Sequence, residues 1–167
     1  IEVPCFEWIC ENKTWFDVFY EHVNYFRLSD FHRIFSKVIE SGRIFGGQYL
    51  YVVAELSSVR EPTCNESDLQ KFPEDFADAI PKNFEKTAAQ CVVWGAASKG
   101  VIFSILKSWT GHPVDLVVDI NPAKQGKHLP VTGLKVHSPE AVVPTLPEKS
   151  PIYVMNSNYL EEIKSLS

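Results

Sequence analysis

A short apolar run that ends in glycine begins the stretch 91–100, which reads CVVWGAASKG. Four consecutive hydrophobic residues predict a buried strand, and Gly95 predicts a sharp turn after it. The next stretch, 98–109, has one apolar helical face made of Val101, Ile102, Ile105 and Leu106. A second apolar strand follows at 116–120. Strand, glycine turn, helix and strand form a βαβ unit, so this stretch predicts a parallel sheet.

Further elements extend this sheet toward the end of the sequence. We predict a short helix at 139–143, a strand at 152–155 and a last helix at 159–164. Ligands of parallel α/β sheets bind beyond the carboxyl ends of the strands. Residues 91–167 are therefore assigned to one α/β domain, with its candidate site at that edge of the sheet.

The N-terminal part of the sequence is dense in aromatic residues and has a different pattern. Ser29 is a suitable N-cap for a predicted helix that runs to about Ser41 and stops at Gly42. Gly46 and Gly47 can adopt the positive φ of a tight turn. We therefore predict an antiparallel hairpin with strands at 43–45 and 48–56.

A polar stretch separates these two parts. Residues 57–72 read SSVREPTCNESDLQKF, which has no hydrophobic period and is typical of a linker or surface loop. Pro73 can start a helix that kinks near Pro81 and continues through Ala89. We therefore divide the chain into an N-terminal part at 1–60, a linker and connecting helix at 61–90, and the α/β domain at 91–167.

Composition and charge exclude several classes of protein. The 167 residues are 45% hydrophobic with a net charge of -5, which excludes a disordered chain and argues against a nucleic-acid partner. No apolar run reaches the roughly 18 residues of a membrane-spanning helix, so no membrane contact is expected. The sequence starts at Ile1, without a secretory signal, and its only methionine is Met155. We expect it to be a piece of a longer protein.

The cysteines indicate the compartment. Cys5, Cys10, Cys64 and Cys91 form no CxxC pair, and a chain of this size does not need disulfides. We expect buried, reduced thiols in a cytoplasmic protein. Metal ligation is the alternative, but no second Cys or His pair has ligand spacing, so no metal site is predicted.

The glycine turn is a candidate site for an anion or a nucleotide. Gly95 and Gly100 let the backbone approach a ligand closely, and together with Ala97 they form an incomplete GxGxxG pattern. The free N–H groups at the start of the helix, near Ser98, favour a phosphate, and Lys99 adds a full positive charge. The alternative is a strand-to-helix turn that binds no ligand.

A second group of candidate residues follows the strand at 116–120. Asp119 lies about 20 residues after the glycine turn, where a dinucleotide-binding fold places an acid on a ribose hydroxyl. It could equally form the local turn that is usual before Asn-Pro. Lys124 and Lys127 could bring positive charge to the same pocket, or belong to a solvated basic loop.

A third candidate site surrounds an adjacent acid and imidazole. Glu21 and His22 follow Phe19 and Tyr20 and precede Tyr25. Imidazole titrates near neutral pH, and a carboxylate beside it can fix its tautomer, so the pair suits proton transfer. Adjacent residues of a strand face opposite sides, so both can serve one site only in a turn or loop. The alternative is an ordinary surface or structural pair.

Several ordered segments resemble one enzyme family. They are FYEHVNYF at 19–26, GGQYLYVVAE at 46–55, VVWGAASKG at 92–100 and VVDINPAKQGKHLP at 117–130. They resemble the sugar C-methyltransferases, which use S-adenosylmethionine and act on nucleotide-linked keto-deoxysugars. The resemblance implies the end of a class I methyltransferase domain over 1–60, with a helix and an antiparallel hairpin, followed by a Rossmann-like domain. The zinc-binding domain of that family has no counterpart here.

The resemblance also implies roles for individual residues. The family pattern is Tyr, any residue, Glu, His, and this sequence has Phe19 at the tyrosine position, where Tyr20 or Tyr25 could substitute. His22 would be the general base and Glu21 would orient it. Ser98, Lys99 and Asp119 would hold the nucleotide end of the substrate.

The same resemblance implies partners. The missing N-terminal methyltransferase half would bind S-adenosylmethionine, and we expect no tight cofactor binding by this chain alone, because no glycine-rich donor loop precedes Glu21. Exposed apolar surface in the first 56 residues would be covered by that half or in a homodimer. Two other functions stay open: a non-catalytic nucleotide-binding or interaction module, and an NAD-dependent enzyme, for which the glycine motif is incomplete.

Overall fold

The computed structural model describes residues 1–82 and 90–166. The chain forms two compact units. The N-terminal unit comprises Ile1–Trp15 and Tyr20–Ala77, and the C-terminal unit comprises Phe16–Phe19 and Asp78–Ser167. The chain therefore passes from the first unit into the second for four residues and returns before Glu21.

The N-terminal unit contains a three-stranded antiparallel sheet. Its strands are β1 (Glu2–Pro4), β2 (Val38–Ile44) and β3 (Tyr49–Ala54), in the order β1-β3-β2. Strands β2 and β3 form the predicted hairpin, and its turn has positive φ at Phe45, Gly46 and Gly47. Strand β1 was not predicted, because three residues show no period of their own and form a strand only by pairing with β3.

Two helices complete the core of this unit. They are α1 (Phe6–Asn12) and α2 (Leu28–Ile34). The buried core residues come from α2 and the residue after it, from the hairpin and from the residue that precedes α1: Cys5, Phe31, Phe35, Leu50 and Val52. The first helix was not predicted from the aromatic N-terminal stretch.

The helix predicted from Ser29 to Ser41 is wrong in its second half. Helix α2 ends at Ile34, and Phe35 already has an extended backbone. The apolar residues beyond it fit a helical period, but β2 pairs with β3 along its length, and this tertiary pairing outweighs local preference. Gly42 does not stop a helix. It lies in β2 under the ring of Tyr51, where a Cβ on Gly42 would be 2.6 Å from the nearest ring carbon.

Part of the polar stretch 57–72 is held on α2 by charged side chains. Asp30 accepts hydrogen bonds from Arg27 at 3.0 Å and from Arg33 at 3.1 Å. Arg33 forms an ion pair with Asp68 at 2.7 Å. Arg60 donates to two carbonyl groups in the last turn of α2, at 2.8 and 2.9 Å. These contacts give a polar segment a defined position without a hydrophobic period.

The C-terminal unit is a parallel α/β sheet, as predicted. Its strands are β4 (Val92–Trp94), β5 (Leu116–Val118), β6 (Val136–His137) and β7 (Ile152–Val154), in the order β6-β5-β4-β7. All three pairings are parallel. Counted along this unit, the order is 3-2-1-4, which matches the first four strands of the Rossmann order 3-2-1-4-5-6. The two-residue strand β6 was not predicted, because it is too short to show a pattern.

The helices of this unit lie close to their predicted positions. They are α3 (Ala79–Lys82), α4 (Ser98–Trp109), α5 (Pro139–Val142) and α6 (Leu160–Leu166). Of the helix predicted from Pro73 to Ala89, only α3 is seen, and 83–89 lie outside the described residues. None of the described helices is long and apolar enough to cross a bilayer.

The expectation that all four thiols are buried is wrong for two of them. All four cysteines are free thiols. Cys5 and Cys91 are buried, Cys10 is half-buried and Cys64 is exposed. The polar stretch around Cys64 offers no apolar neighbours in sequence that would cover it.

A close backbone contact fixes the start of α4 against β4. Gly95 has φ +123°, a region that side-chain-bearing residues rarely adopt. A Cβ on Gly100 would lie 1.8 Å from the carbonyl oxygen of Gly95. The helix can begin this close to the strand only because both positions are glycine.

We expect Gly100→Ala to destabilise the chain by about 1–3 kcal/mol, because the methyl group must push α4 away from Gly95. This sign is opposite to the usual effect of Gly→Ala in a helix, which is stabilising by roughly 1 kcal/mol. The measurement is urea unfolding followed by circular dichroism. Ser108→Ala, at an exposed position of the same helix, is the control and should change the value by at most about 0.5 kcal/mol. A stabilised Gly100→Ala variant would contradict the close contact.

Candidate functional site

The glycine turn lies at the point where the strand order of the C-terminal unit reverses. Gly95 follows β4, and its N–H donates to the carbonyl of Val118 in β5 at 2.8 Å. On the other side, the N–H of Met155 donates to the carbonyl of Trp94 at 3.1 Å. Parallel α/β sheets bind ligands in the crevice at such a switch point. The predicted turn therefore occupies the expected position for a ligand site.

The first turn of α4 presents backbone donors at this point. Its N-cap is Ala97, whose methyl group cannot accept a hydrogen bond as a serine or aspartate cap would. The N–H groups that follow at Ser98 and Lys99 point along the helix axis toward its start, where an anion is favoured. Gly95 and Gly100 hold this helix start against the strand, and Ala97 lies between them.

Asp119 closes the glycine turn from the adjacent strand. Its Oδ2 accepts hydrogen bonds from the N–H of Ala96 at 2.7 Å and from the ammonium group of Lys124 at 2.9 Å. Its Oδ1 accepts from the N–H of Asn121 at 2.8 Å, which is the local turn expected before Asn-Pro. A ribose hydroxyl at Asp119 would have to share these oxygens with donors already present.

Hydrogen bonds favour the negatively charged form of Asp119. Burial raises the pKa of this carboxyl and is the largest single influence on it. The hydrogen bonds from Lys124, Asn121 and Ala96 outweigh burial, and the pKa of Asp119 lies below its ordinary value. Asp119 is therefore a fixed negative charge at the edge of the turn.

Two of the predicted basic residues are engaged with carboxylates. Lys124 is paired with Asp119, and Lys99 forms an ion pair with Asp17. Lys127 is exposed on the loop that follows. The structure thus brings Asp119 and Lys124 to the glycine turn, whereas the ammonium group of Lys99 is directed to Asp17, a residue that was not among the predicted ones.

The acid and imidazole pair lies in a turn of the N-terminal unit. Tyr20 and Glu21 form the turn, and both side chains are exposed, Tyr20 to 83%. His22 is half-buried, and its ring lies 5.7 Å from the ring of Tyr25 in an edge-to-face arrangement. Of Tyr20 and Tyr25, Tyr25 is the one whose ring lies beside the imidazole.

A row of aromatic rings continues from Tyr25. The ring of Tyr25 lies 6.3 Å from that of Phe6, and Phe6 lies 5.1 Å from Phe72. Phe72 in turn lies 4.6 Å from Phe76. The imidazole therefore lies at one end of an apolar wall whose other end is formed by Phe72 and Phe76. Phe72 was not singled out by sequence because no periodicity surrounds it, and Phe76 was expected only as an apolar residue of the helix predicted from Pro73.

Met155 is a further residue of the switch point. A Cβ on Gly95 would lie 3.1 Å from the Cβ of Met155, so the side chain of Met155 packs directly over the glycine turn. The sequence signal that could have identified Met155 is its position at the carboxyl end of the strand predicted at 152–155.

Comparison with protein families matches the C-terminal part of the chain. A model of the family described as C-methyltransferase C-terminal domain matches residues 65–166, which is more than half of the chain. The matched range contains the whole parallel sheet, the glycine turn and Asp119. Comparison with curated proteins finds no match to this chain.

We expect Asp119→Asn to lower the free energy of unfolding at pH 7 by about 1–3 kcal/mol, since it removes the acceptor of charge-assisted hydrogen bonds. The folded-state pKa of Asp119 is lowered, so its contribution is present above the unfolded-state pKa and is lost as the pH falls through the folded-state value. The difference between variant and wild type should therefore shrink at about pH 3.

Urea unfolding at the two pH values measures this difference. Glu148→Gln, an exposed acid-to-amide change in the same unit, is the control and should have little effect at either pH. A difference that is equal at pH 7 and in acid would show that the charge of Asp119 does not stabilise the turn.

Proposed function

The chain belongs to the family of C-methyltransferase C-terminal domains, and we propose that it is the C-terminal portion of an S-adenosylmethionine-dependent C-methyltransferase that acts on a nucleotide-linked keto-deoxysugar. In this proposal it supplies the Glu-His general base and the domain that binds the nucleotide end of the substrate. The observation that carries it is the position of His22, half-buried directly after the turn at Tyr20 and Glu21 and packed against Tyr25.

The proposed reaction step is removal of a proton. A hydrogen on the carbon beside a ketone is acidic, because the resulting negative charge is delocalised onto the carbonyl oxygen. Neutral His22 takes this proton onto a ring nitrogen, and the C–H electron pair remains on the substrate as an enolate. Glu21, the preceding residue, orients the imidazole and stabilises its protonated form. The ring of Tyr25 holds the imidazole at the aromatic wall and limits its access to water.

The nucleotide end is proposed to bind at the switch point of the C-terminal unit. The backbone donors at Ala97, Ser98 and Gly100 favour a diphosphate there. Gly95 makes the turn, and Asp119 and Lys124 hold its shape from the adjacent strand. Lys127, an exposed residue of the loop that carries Lys124, can add positive charge at the edge of this site.

The methyl donor does not fit this chain. The glycines of the N-terminal unit are Gly42, Gly46 and Gly47, and all three belong to the hairpin. The link from β1 to α1 is Cys5 alone, which is not a glycine-rich turn that could accommodate S-adenosylmethionine. We therefore assign no step of methyl transfer to these residues, and propose that an N-terminal methyltransferase half provides the donor site.

The N-terminal unit also has exposed apolar side chains that such a half could cover. The most exposed aliphatic ones among the described residues of this unit are Val23, Leu56, Leu69 and Ile39. A homodimer is the other assembly that would cover them.

Thermal-shift titration tests the nucleotide part of this proposal. Thymidine diphosphate at 100 times its dissociation constant should stabilise the chain by about 2.7 kcal/mol, while S-adenosylmethionine should give no shift. Stabilisation by the nucleotide without any proton transfer would favour the non-catalytic nucleotide-binding module. No response to either ligand would contradict the nucleotide assignment.

Deuterium exchange tests the general base without a methyl donor. The chain is mixed with a thymidine-diphosphate-linked keto-deoxysugar in D2O, and loss of the proton beside the ketone is followed by NMR. His22→Asn should slow the exchange by about 10²–10⁴-fold, the usual contribution of a general base. His32→Asn, on an exposed position of α2, is the matched control. An exchange rate that survives His22→Asn would rule out this base.

A further inference from the structure

We propose that residues 61–72 form a strap that opens and closes on the N-terminal unit, that the ion pair between Arg33 and Asp68 is the latch that holds it closed, and that closure brings Phe72 to the apolar wall beside His22. All of these residues belong to the same unit. The inference rests on the proposed function for the role of His22, whereas the latch itself does not depend on that role.

Both ends of the strap are fixed to the rest of the unit. Before it, the N–H of Arg60 donates to the carbonyl of Ile34 at 2.8 Å, and the guanidinium group of Arg60 donates to two further carbonyls of α2. After it, Asp75 forms an ion pair with Lys13 at the end of α1. A segment fixed in this way can detach between its ends while both ends stay in place.

Between these ends the strap buries little of itself. The structure describes all twelve of its residues, and only Asp68 is not exposed. The backbone N–H groups of Asp68 and Leu69 donate to carbonyls within the strap, those of Asn65 and Glu66, at 2.9 and 3.2 Å. Segments with few buried apolar contacts open at a much lower free energy than the core unfolds. We therefore infer that the strap opens while the sheet and α2 stay folded.

Asp68 holds the middle of the strap on α2. Its Oδ1 lies 2.7 Å from a guanidinium nitrogen of Arg33, and its backbone carbonyl accepts a hydrogen bond from Arg27 at 2.9 Å. Both arginines also bind Asp30, so the latch consists of two cations and two anions. The side chains of Arg33 and Asp68 are 24% and 26% exposed, so salt screens this pair less than a fully exposed one, but still screens it.

The strap ends at the apolar wall. The ring of Phe72, its last residue, lies edge-to-face on Phe6 at 5.1 Å, and the wall continues from Phe6 to Tyr25 and His22. A closed strap therefore extends the wall, and an open strap removes Phe72 from Phe6. Aromatic side chains commonly line ligand pockets, and the C–H groups of a deoxysugar ring offer an apolar face to such a wall. Closure should therefore strengthen substrate binding.

Limited digestion with trypsin measures the open strap, because cleavage after Lys71 requires the segment around it to leave the surface. The test uses four variants of the full chain: Asp68→Asn, Asp68→Glu, Arg33→Met and the double variant Arg33→Met/Asp68→Asn. Glu66→Gln, an acid-to-amide change at an exposed position of the same strap, is the matched control. Circular dichroism verifies that each variant is folded, and synthetic peptides of 61–78 with the same strap substitutions correct for the preference of the protease.

We expect Asp68→Asn and Arg33→Met each to raise the rate of cleavage after Lys71 by about tenfold, with the double variant no faster than the faster single one, since both remove the same contact. Asp68→Glu keeps the carboxylate and should stay within about threefold of the wild type. Cleavage of the wild type should become faster as NaCl is raised from about 0.05 to 0.5 M, and Asp68→Asn should lose this dependence.

Deuterium exchange of the keto-deoxysugar measures the consequence for the proposed site. Asp68→Asn should raise KM by about threefold or more and leave kcat within about twofold, because it withdraws Phe72 from the wall and leaves the imidazole against Tyr25. Glu66→Gln should change neither value. A fall in kcat at unchanged KM would overturn the role of the strap in substrate binding.

Equal cleavage rates in the wild type, Asp68→Asn and Arg33→Met would overturn the latch. A rate that rises as much in Glu66→Gln would also overturn it, since cleavage would then depend on total charge and not on the ion pair. If the wild-type chain exchanges no substrate proton, the proposed base fails, and the cleavage rates still decide whether Arg33 and Asp68 hold the strap.

Discussion

The close approach of Gly100 to the carbonyl oxygen of Gly95 is the contact on which the C-terminal unit depends. It allows α4 to start immediately after β4, and so places the first turn of the helix at the carboxyl edge of the sheet. Asp119 then reaches the N–H of Ala96 from β5, and Met155 covers the turn from β7. Any side chain at position 100 would separate these groups, because a backbone oxygen within 2 Å leaves no room for a carbon atom.

The elements that could be predicted from the sequence are those that local signals determine. Helix α4 occupies the predicted residues 98–109, because its apolar face and its glycine turn are both local signals. The hairpin turn was also predictable, since Gly46 and Gly47 permit its positive φ. Strands β1 and β6 and the second half of the helix predicted at 29–41 depend on pairing with distant residues, and local pattern carries no information about that.

The candidate sites also combine features that local sequence predicts with features that depend on distant residues. The position of Asp119 at the end of a strand could be predicted, but its hydrogen bonds to Ala96 and Lys124 depend on the way the loop folds back. The pairing of Lys99 with Asp17 joins residues far apart in the chain, so sequence alone favoured a free ammonium group at the phosphate site. Tyr25 could be found beside His22 because the two are three residues apart in sequence, and the structure distinguishes it from the exposed Tyr20.

Two positions of the glycine motif determine the fold, and the third would determine which ligand can bind. In dinucleotide-binding folds the first glycine makes the turn, the third permits close packing of helix on strand, and the second lets the pyrophosphate approach the backbone. Gly95 and Gly100 perform the first and third of these tasks. The second position is Ala97, and the carboxylate that would bind ribose is engaged with three donors. Both departures argue against an NAD-dependent enzyme. The nucleotide assignment therefore depends on membership of the C-methyltransferase family and on backbone donors at α4, and not on the glycine motif itself.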